Sequence, residues 1–297
     1  MIGSQKKRSH MQVSTTKGLE MKAAFQGELG AFSQEAIRQL LGPGAKPVPC
    51  QRFDQVFATL KARKVDCAVI PIENTLHGSV YENYDLLLKH NFIICAETSV
   101  RIVHNLIAPP GVTFHSVRKV FSHPVALNQC LDFFASNKQI ERESFYDTAG
   151  SVKMVMADRP SASAAIASAF AAKIYGGKIL KKGIEDDRQN HTRFFLLEPE
   201  GSEPRVPKGA AKRPWKTSLV FSTKNIPGSL FRALSALALR DLNLTKIESR
   251  PLRGKPWEYM FYVDLIGHQN DKNVRNALGH LEELTDFLRV LGSYHAA

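Results

Sequence analysis

The chain of 297 residues is 43% hydrophobic and 23% charged, an ordinary globular composition for one large or two modest domains. It excludes collagen-like, coiled-coil and broadly disordered proteins, and no apolar run approaches the roughly 20 residues that a membrane helix requires. The net charge of +12 is concentrated, because residues 1–22 hold five basic residues against one acidic and residues 199–216 hold five against two. No basic helix with interleaved aromatic residues is present, so we expect neither a nucleic-acid nor a membrane partner.

Residues 1–21 form a basic, polar tail that lacks the apolar stretch of a secretory signal. We therefore expect a cytoplasmic protein. A transit peptide and a disordered extension both remain open for the tail itself. The cysteines at positions 50, 67, 95 and 130 show no CxxC spacing, which argues against a zinc site and favours reduced, structural thiols.

Short apolar strands alternate with helical stretches from residue 22 onward. Strands are predicted at 22–26, 66–71, 92–97, 120–122 and 194–197. Helices are predicted at 33–41, 53–62, 124–134 and 161–175, the last rich in alanine. This alternation predicts an α/β fold with mainly parallel strands, in which ligands gather beyond the carboxyl ends of the strands.

A proline-rich segment divides the chain. Residues 199–214 hold four prolines and two glycines with almost no apolar content, which predicts a linker over 199–215. We therefore expect a larger domain over 22–198 and a smaller one over 216–297.

The smaller part has a clear element pattern. Strands are predicted at 217–223, 243–252, 257–266 and 287–294, with helices at 228–240 and 271–285. The resulting βαββαβ order is the ferredoxin-like arrangement, which is also that of small-molecule sensing modules.

Five polar segments interrupt the α/β pattern of the larger part at strand ends, at 27–33, 71–80, 121–125, 146–151 and 186–194. Each one alone is more typical of a turn or a helix cap than of a ligand site. Together they supply hydroxyl, amide and guanidinium groups, without a nucleophile–base pair, phosphate loop, dinucleotide fingerprint or metal cluster. We therefore expect no metal and no cofactor, and a site that binds and orients a polyoxygenated anion.

These segments, in this order, resemble the prephenate dehydratase family, and the C-terminal module resembles its regulatory ACT domain. The resemblance covers about 22–197 and 217–294. Its strongest matches are Val69-Ile-Pro-Ile-Glu-Asn-Thr75, Ser122-His-Pro124, Asn190-His-Thr-Arg-Phe194 and Ile247-Glu-Ser-Arg-Pro251. It implies two α/β lobes of the periplasmic-binding-protein type with the site in the cleft, followed by a ferredoxin-like ACT domain.

The resemblance also implies an activity, the removal of CO2 and water from prephenate to give phenylpyruvate in phenylalanine biosynthesis. Prephenate is a strained cyclohexadiene whose ring carboxylate and ring hydroxyl are both ready to leave. Because aromatisation drives the reaction, the protein needs chiefly to orient the substrate and assist departure of the hydroxyl, without a cofactor.

Carried over position by position, the family's catalytic threonine falls on Thr192, whose hydroxyl would be an orienting donor or relay to the leaving hydroxyl. Asn74, Ser122 and Gln129 match the family's other polar site positions and would hold the substrate. Glu73 also matches, and we consider it as an acid if it is buried.

Ser33, Thr148 and Arg193 are lesser candidates for substrate binding. Arg193 would face a substrate carboxylate, with a structural ion pair as an equal alternative.

Three positions depart from the family pattern. Val125 replaces a usual glutamine, Thr75 a common serine, and Gly177 a usual leucine. Val125 is the departure that puts a polar contact in doubt.

The ACT-like module implies regulation by phenylalanine, whose carboxylate would rest on the N–H groups that open the first helix. We expect it to inhibit the distant site, in a homodimer or homotetramer paired through this module. The predicted phenylalanine-binding residues are Pro227, Gly228, Ser229, Leu230, Asn243, Glu248, Ser249 and Arg250.

Two alternatives remain open beside prephenate dehydration. The first is arogenate dehydratase activity, which makes phenylalanine directly, because Asp147-Thr-Ala-Gly150 reads like the plant arogenate dehydratases. The second is a non-catalytic amino-acid-binding sensor, which the presence of Thr192 with Asn74, Ser122 and Gln129 argues against.

Overall fold

The computed structural model describes residues 21–202, 205–207, 209–252 and 257–297. The N-terminal tail up to residue 20 and residues 203, 204 and 208 of the predicted linker lie outside the described residues. The elements of the larger part are, in chain order, β1 (Lys22–Gln26), α1 (Phe32–Leu41), β2 (Lys46–Cys50), α2 (Phe53–Lys61), β3 (Cys67–Asn74), β4 (Gly78–Ser79), α3 (Tyr81–Lys89), β5 (Phe92–Arg101), β6 (Asn105–Ala108), β7 (Lys119–Ser122), α4 (Pro124–Asn128), α5 (Leu131–Ala135), β8 (Glu141–Ser144), α6 (Thr148–Asp158), β9 (Ser163–Ala167), α7 (Ala169–Tyr175), β10 (Lys178–Lys181) and β11 (His191–Pro199).

These elements form two α/β lobes, as expected. The sheet of the first lobe has the order β2-β1-β3-β11-β5 with β4 beside β3, and that of the second has the order β10-β6-β9-β7-β8. The strands are mixed instead of mainly parallel, because β1 runs parallel to β2 and β3 whereas β11 runs antiparallel to both β3 and β5. The chain leaves the first lobe after β5 and returns through β11, so the start of β11 lies beside the end of β3.

The predicted helix over 161–175 is wrong in its first half, which is the strand β9, followed by the helix α7. Alanine has the highest helix propensity, but all five residues of β9 are buried and β9 pairs with β6 and β7. Burial on both faces of a central strand therefore overrides the propensity.

The predicted helix over 124–134 is likewise two short helices, α4 and α5. The second begins anew because the carboxylate of Asp186 accepts hydrogen bonds from the backbone N–H groups of Leu131 (2.8 Å) and Asp132 (3.0 Å).

The smaller domain has the predicted βαββαβ order, which confirms the ferredoxin-like arrangement. Its sheet has the order β13-β14-β12-β15, and all neighbouring strands are antiparallel. The elements are β12 (Trp215–Ser222), α8 (Ser229–Ala238), β13 (Leu244–Pro251), β14 (Tyr259–Ile266), α9 (Lys272–Leu284) and β15 (Phe287–His295).

The two faces of this sheet have different partners. Leu219 and Val263 pack with α8 and α9 on one face. Tyr262 and Tyr294 on the other face share a core with Phe195 of the first lobe. Gly292 permits the close approach of the domains, because a Cβ atom there would overlap the Ile94 carbonyl group and its φ is +154°.

The connection between β11 and β12 also contacts the first lobe. The Arg205 N–H donates to the Cys95 carbonyl oxygen at 3.0 Å, and its guanidinium pairs with Glu198. Within the described ranges no helix is long and apolar enough to cross a membrane. The four cysteines form no disulfide, and three of them are buried.

Candidate active site

The two segments that connect the lobes define the position of the site. They hydrogen-bond to each other, since Ile102 N–H donates to the Asn190 carbonyl oxygen (2.8 Å) and Ile184 N–H to the His104 carbonyl oxygen (2.9 Å). A cavity of about 310 Å³ opens beside them, between the lobes. Its polar lining includes the predicted residues Ser33, Asn74, Gln129, Thr148 and Thr192, together with His77, His104, His123, Tyr146 and Asp147.

A larger cleft of about 750 Å³ lies on the other side of the segment between β5 and β6. Phe32 borders both spaces, whereas Arg101, Val103 and Asn105 face only the larger one. We assign the site to the smaller cavity because the predicted hydroxyl and amide groups converge there.

Asn74 and Thr192 are directly paired across β3 and β11. The Asn74 Nδ2 amide donates to Thr192 Oγ1 at 2.9 Å, and Asn74 Oδ1 accepts from the backbone N–H groups of Leu76 and His77, both at 3.0 Å. These backbone bonds fix the orientation of the amide. Because Thr192 Oγ1 accepts from Asn74, its own proton is available to a ligand in the cavity.

Gln129 and His104 form a second buried pair on the cavity wall. Their side-chain atoms Oε1 and Nε2 are 2.7 Å apart, and the residues are 6% and 2% exposed. Burial lowers the pKa of His104, which therefore stays neutral near neutral pH. Its Nδ1 has no partner among the described residues, which fits the tautomer that donates from Nε2. Since Gln129 Oε1 accepts from His104, the Nε2 group is the part of this amide that is left for a ligand in the cavity.

Two helices begin at the cavity. The helix α1 begins beside Ser33 without a side-chain cap at Ala31, and α6 begins at Thr148 after its cap, Asp147. Backbone N–H groups at such ends attract anions. At α6 the Asp147 carboxylate already accepts from the N–H groups of Ala149 and Gly150, so the start of α1 is the end that can receive a substrate carboxylate.

Three predicted site residues do not reach the cavity, and Ser122 is the first of them. It is fully buried, and its hydroxyl donates to the Ile166 carbonyl oxygen at 2.7 Å. That bond joins β7 to β9, so the side chain has a structural role in this structure.

Glu73 and Arg193 are the other two. Successive strand residues point to opposite faces, so these neighbours of Asn74 and Thr192 face the smaller domain. Arg193 Nε lies 2.6 Å from Glu97 Oε2 and its Nη1 lies 2.6 Å from Asp264 Oδ2. This corrects the substrate-facing assignment of Arg193 in favour of the structural ion pair.

Glu73 Oε1 lies 2.9 Å from Lys246 Nζ of the smaller domain, so it pairs with a cation instead of lining the cavity. Two of the three departures from the family pattern are also placed. Val125 lines the cavity wall. Thr75 keeps its hydroxyl in use, since it donates to the Gln189 carbonyl oxygen at 2.9 Å.

The predicted phenylalanine-binding residues do not form one pocket within the chain. Glu248 Oε2 accepts from Ser79 Oγ at 2.6 Å, and Arg250 Nη2 lies 3.3 Å from both Asp85 carboxylate oxygens, so both residues face the first lobe. The residues over 227–230 instead precede and begin α8, on the opposite face of the sheet.

Sequence reasoning missed His104 and Asp147 as cavity residues. Asp147 is 7% exposed, its Oδ1 accepts from Gly150 N–H at 2.6 Å, and burial raises its pKa. An aspartate directly before Thr-Ala-Gly is typical of a helix start, and this pattern could have indicated Asp147. The residues around His104 carry no comparable pattern. The described residues hold no group of three or more His, Cys, Asp or Glu side chains that could bind a metal ion.

Comparisons with known proteins identify the family. The profile of the prephenate dehydratase family matches residues 23–202, and that of the ACT domain matches residues 217–283. Arogenate dehydratase/prephenate dehydratase 2, chloroplastic, of Arabidopsis thaliana is 45% identical over 290 residues, which are 95% of this chain and 74% of that protein.

Solved structures give the same result. The prephenate dehydratase of Arthrobacter aurescens in complex with L-Phe has a TM-score of 0.83 at 30% identity, covering 93% of this chain and 90% of that one. A structure named as GqqA, a novel type of quorum quenching acylase, has a TM-score of 0.84 at 33% identity, covering 93% and 98%. The chain therefore belongs to the prephenate dehydratase family and carries a C-terminal ACT domain.

Proposed function

We propose that the protein is a dehydratase that converts prephenate to phenylpyruvate, or its amino counterpart arogenate to phenylalanine, with loss of CO2 and water. The observation that carries the proposal is the Asn74–Thr192 hydrogen bond of 2.9 Å inside the cleft. It leaves the Thr192 hydroxyl proton available to a ligand in a cavity that amide, hydroxyl and imidazole groups line. Since one similar structure is named an acylase, the fold alone does not carry this function, and the site does.

The proposed step needs little more than orientation. The ring carboxylate leaves as CO2, its bonding electrons enter the ring, and the ring C–O bond breaks, so that the departing hydroxide takes up a proton and leaves as water. Thr192 Oγ donates a hydrogen bond to that oxygen, and the proton comes through it from solvent, because a threonine hydroxyl is a poor acid by itself.

The remaining groups hold the substrate. The Gln129 amide, the Thr148 and Ser33 hydroxyls and the N–H groups at the start of α1 are neutral donors suited to two carboxylates. Glu73 has no direct part in this scheme, because it pairs with Lys246 outside the cavity.

We also propose that phenylalanine binds the ACT domain and inhibits the reaction, in a homodimer or homotetramer. The family profile over 217–283 and the L-Phe complex of a relative support this regulation. Within a single chain the candidate residues lie on both faces of the sheet, which is consistent with a site that a second subunit completes. The cytoplasmic location remains a prediction, and the Arabidopsis relative is named chloroplastic.

The test of the catalytic proposal is Thr192→Ala, with Thr192→Ser as the matched control. We expect the alanine variant to lose about 100-fold to 1,000-fold in kcat, as on removal of one donor from a transition-state oxygen. The serine variant keeps the hydroxyl and most of the activity. Substrate should still raise the Tm of the alanine variant. If substrate raised the Tm of the wild type but was not turned over, the result would contradict the dehydratase activity and favour the non-catalytic sensor.

A further inference from the structure

The charge of the cavity is unusual for a site that receives a molecule with two carboxylates. Among the described residues that line it, none is lysine or arginine, and Asp147 is the only carboxylate. The cations nearby in the chain are engaged elsewhere: Arg193 faces Glu97 and Asp264, and Lys153 Nζ lies 3.0 Å from Glu28 Oε2. The cavity lining therefore offers an anion a carboxylate and no lysine or arginine among the described residues.

Asp147 is held in place as a buried carboxylate. It lies in the turn before α6, and Oδ1 accepts from the Gly150 N–H at 2.6 Å. The other oxygen, Oδ2, packs closely against Gly27 (φ +116°), where a Cβ atom would lie 2.9 Å from it. The carboxylate also accepts from the backbone N–H groups of Glu28 and Ala149. Neither lysine nor arginine forms an ion pair with this carboxylate among the described residues.

The two candidate substrates differ at one group. Both carry a ring carboxylate and a side-chain carboxylate, whereas the side chain has a keto group in prephenate and an ammonium group in arogenate. A buried carboxylate repels a second anion and is compensated by a cation. An ammonium group next to Asp147 supplies that cation, whereas a keto group leaves the negative charge with backbone N–H donors as its partners.

We propose that Asp147 receives the ammonium group of the substrate and thereby makes arogenate the preferred substrate over prephenate. The inference rests on the proposed dehydratase function. Asp147 determines specificity through the side chain of the substrate, while Thr192 and Asn74 act at the ring. The substrate carboxylates bind the N–H groups that begin α1, the Ser33 hydroxyl and the Gln129 amide.

The test compares kcat/KM for arogenate and for prephenate in the wild type and in Asp147→Asn. Asparagine keeps the helix-capping oxygen and the shape but removes the charge. We expect the wild type to prefer arogenate, and the variant to lose about tenfold or more in kcat/KM for arogenate with little loss for prephenate, as for removal of one charged hydrogen-bond partner. Asp271→Asn at the start of α9, outside the cavity, is the matched control and should leave the ratio unchanged.

An unchanged substrate ratio in Asp147→Asn, with both substrates turned over, would overturn the inference and leave the dehydratase intact. If the wild type turned over neither arogenate nor prephenate, the proposed function would be overturned instead. If Asp147→Asn does not fold, Thr192→Ala provides the second measurement: arogenate should raise its Tm more than prephenate does, and an equal or smaller rise would overturn the inference.

Discussion

Among single residues, two histidines of the cavity lining, His104 (buried) and His123 (half-buried), make the stability of the folded chain depend on pH. Burial lowers the pKa of both His104 and His123, which line the cavity. In the unfolded chain these groups take up protons near the ordinary value of 6.5. The folded state binds fewer protons than the unfolded state below that pH, so its free energy of unfolding falls as the pH falls.

This predicts the outcome for His104→Gln, which keeps an N–H donor for Gln129. Between about pH 8 and about pH 5, the Tm of the wild type should fall more than that of the variant. The reason is that His104 takes up a proton more readily in the unfolded chain than in the folded one, whereas glutamine does not titrate. His115→Gln, an exposed position outside the cavity, is the control and should follow the wild type. A parallel fall of Tm in wild type and His104→Gln would show that His104 does not contribute.

The site residues predicted on β3 and β11 fall into two groups, because successive residues of a strand point to opposite faces of the sheet. Asn74 and Thr192 reach the cavity while their neighbours Glu73 and Arg193 face the ACT domain. The sequence motifs single out both neighbours on each strand. Which of the two faces the cleft depends on which side of the sheet the ACT domain covers, and the sequence does not show that. His104 could not be predicted, because its role arises from a tertiary contact with Gln129.

At the scale of elements, the ACT domain was predictable almost residue by residue because its strands alternate and its helices are amphipathic. The second lobe was less so. Its central strand β9 is a run of small residues whose state depends on burial between β6 and β7, which no local propensity encodes. β2 was missed because Pro47 and Pro49 read as turn residues, although prolines are tolerated on this edge strand.

The close packing of β9 leads to a prediction for Ala165→Leu. Ala165 is 0% exposed in the middle of the strand, so the larger side chain has no free volume and should lower the free energy of unfolding by about 1–3 kcal/mol. Chemical denaturation measures this change. Ala169→Leu at the exposed start of α7 is the control. Equal effects in the two variants would contradict the assignment of β9 as a packed central strand.

At the scale of the whole molecule, β3 and β11 connect the cleft to the ACT domain. Each strand carries a cleft residue next to a residue paired across the domain boundary: Asn74 beside Glu73, and Thr192 beside Arg193. Lys246 of β13 lies 2.9 Å from Glu73 and 3.1 Å from Ser79 Oγ. A shift of β13 on effector binding therefore has a direct route to Asn74.

This route predicts that Lys246→Met weakens feedback without abolishing turnover. The concentration of phenylalanine for half inhibition should rise about fivefold or more, within the usual range of coupling free energies, while uninhibited kcat stays close to the wild-type value. Lys272→Met, an exposed position on α9, is the matched control. Unchanged inhibition in Lys246→Met would exclude this contact as part of the coupling.

Product formation from the two candidate substrates shows whether this cleft carries out a decarboxylating dehydration. The purified protein is incubated near neutral pH with prephenate and, separately, with arogenate, and formation of phenylpyruvate and phenylalanine is followed over time. The account predicts turnover, with arogenate preferred and with suppression when phenylalanine is added. Binding of both compounds without formation of either product would contradict it.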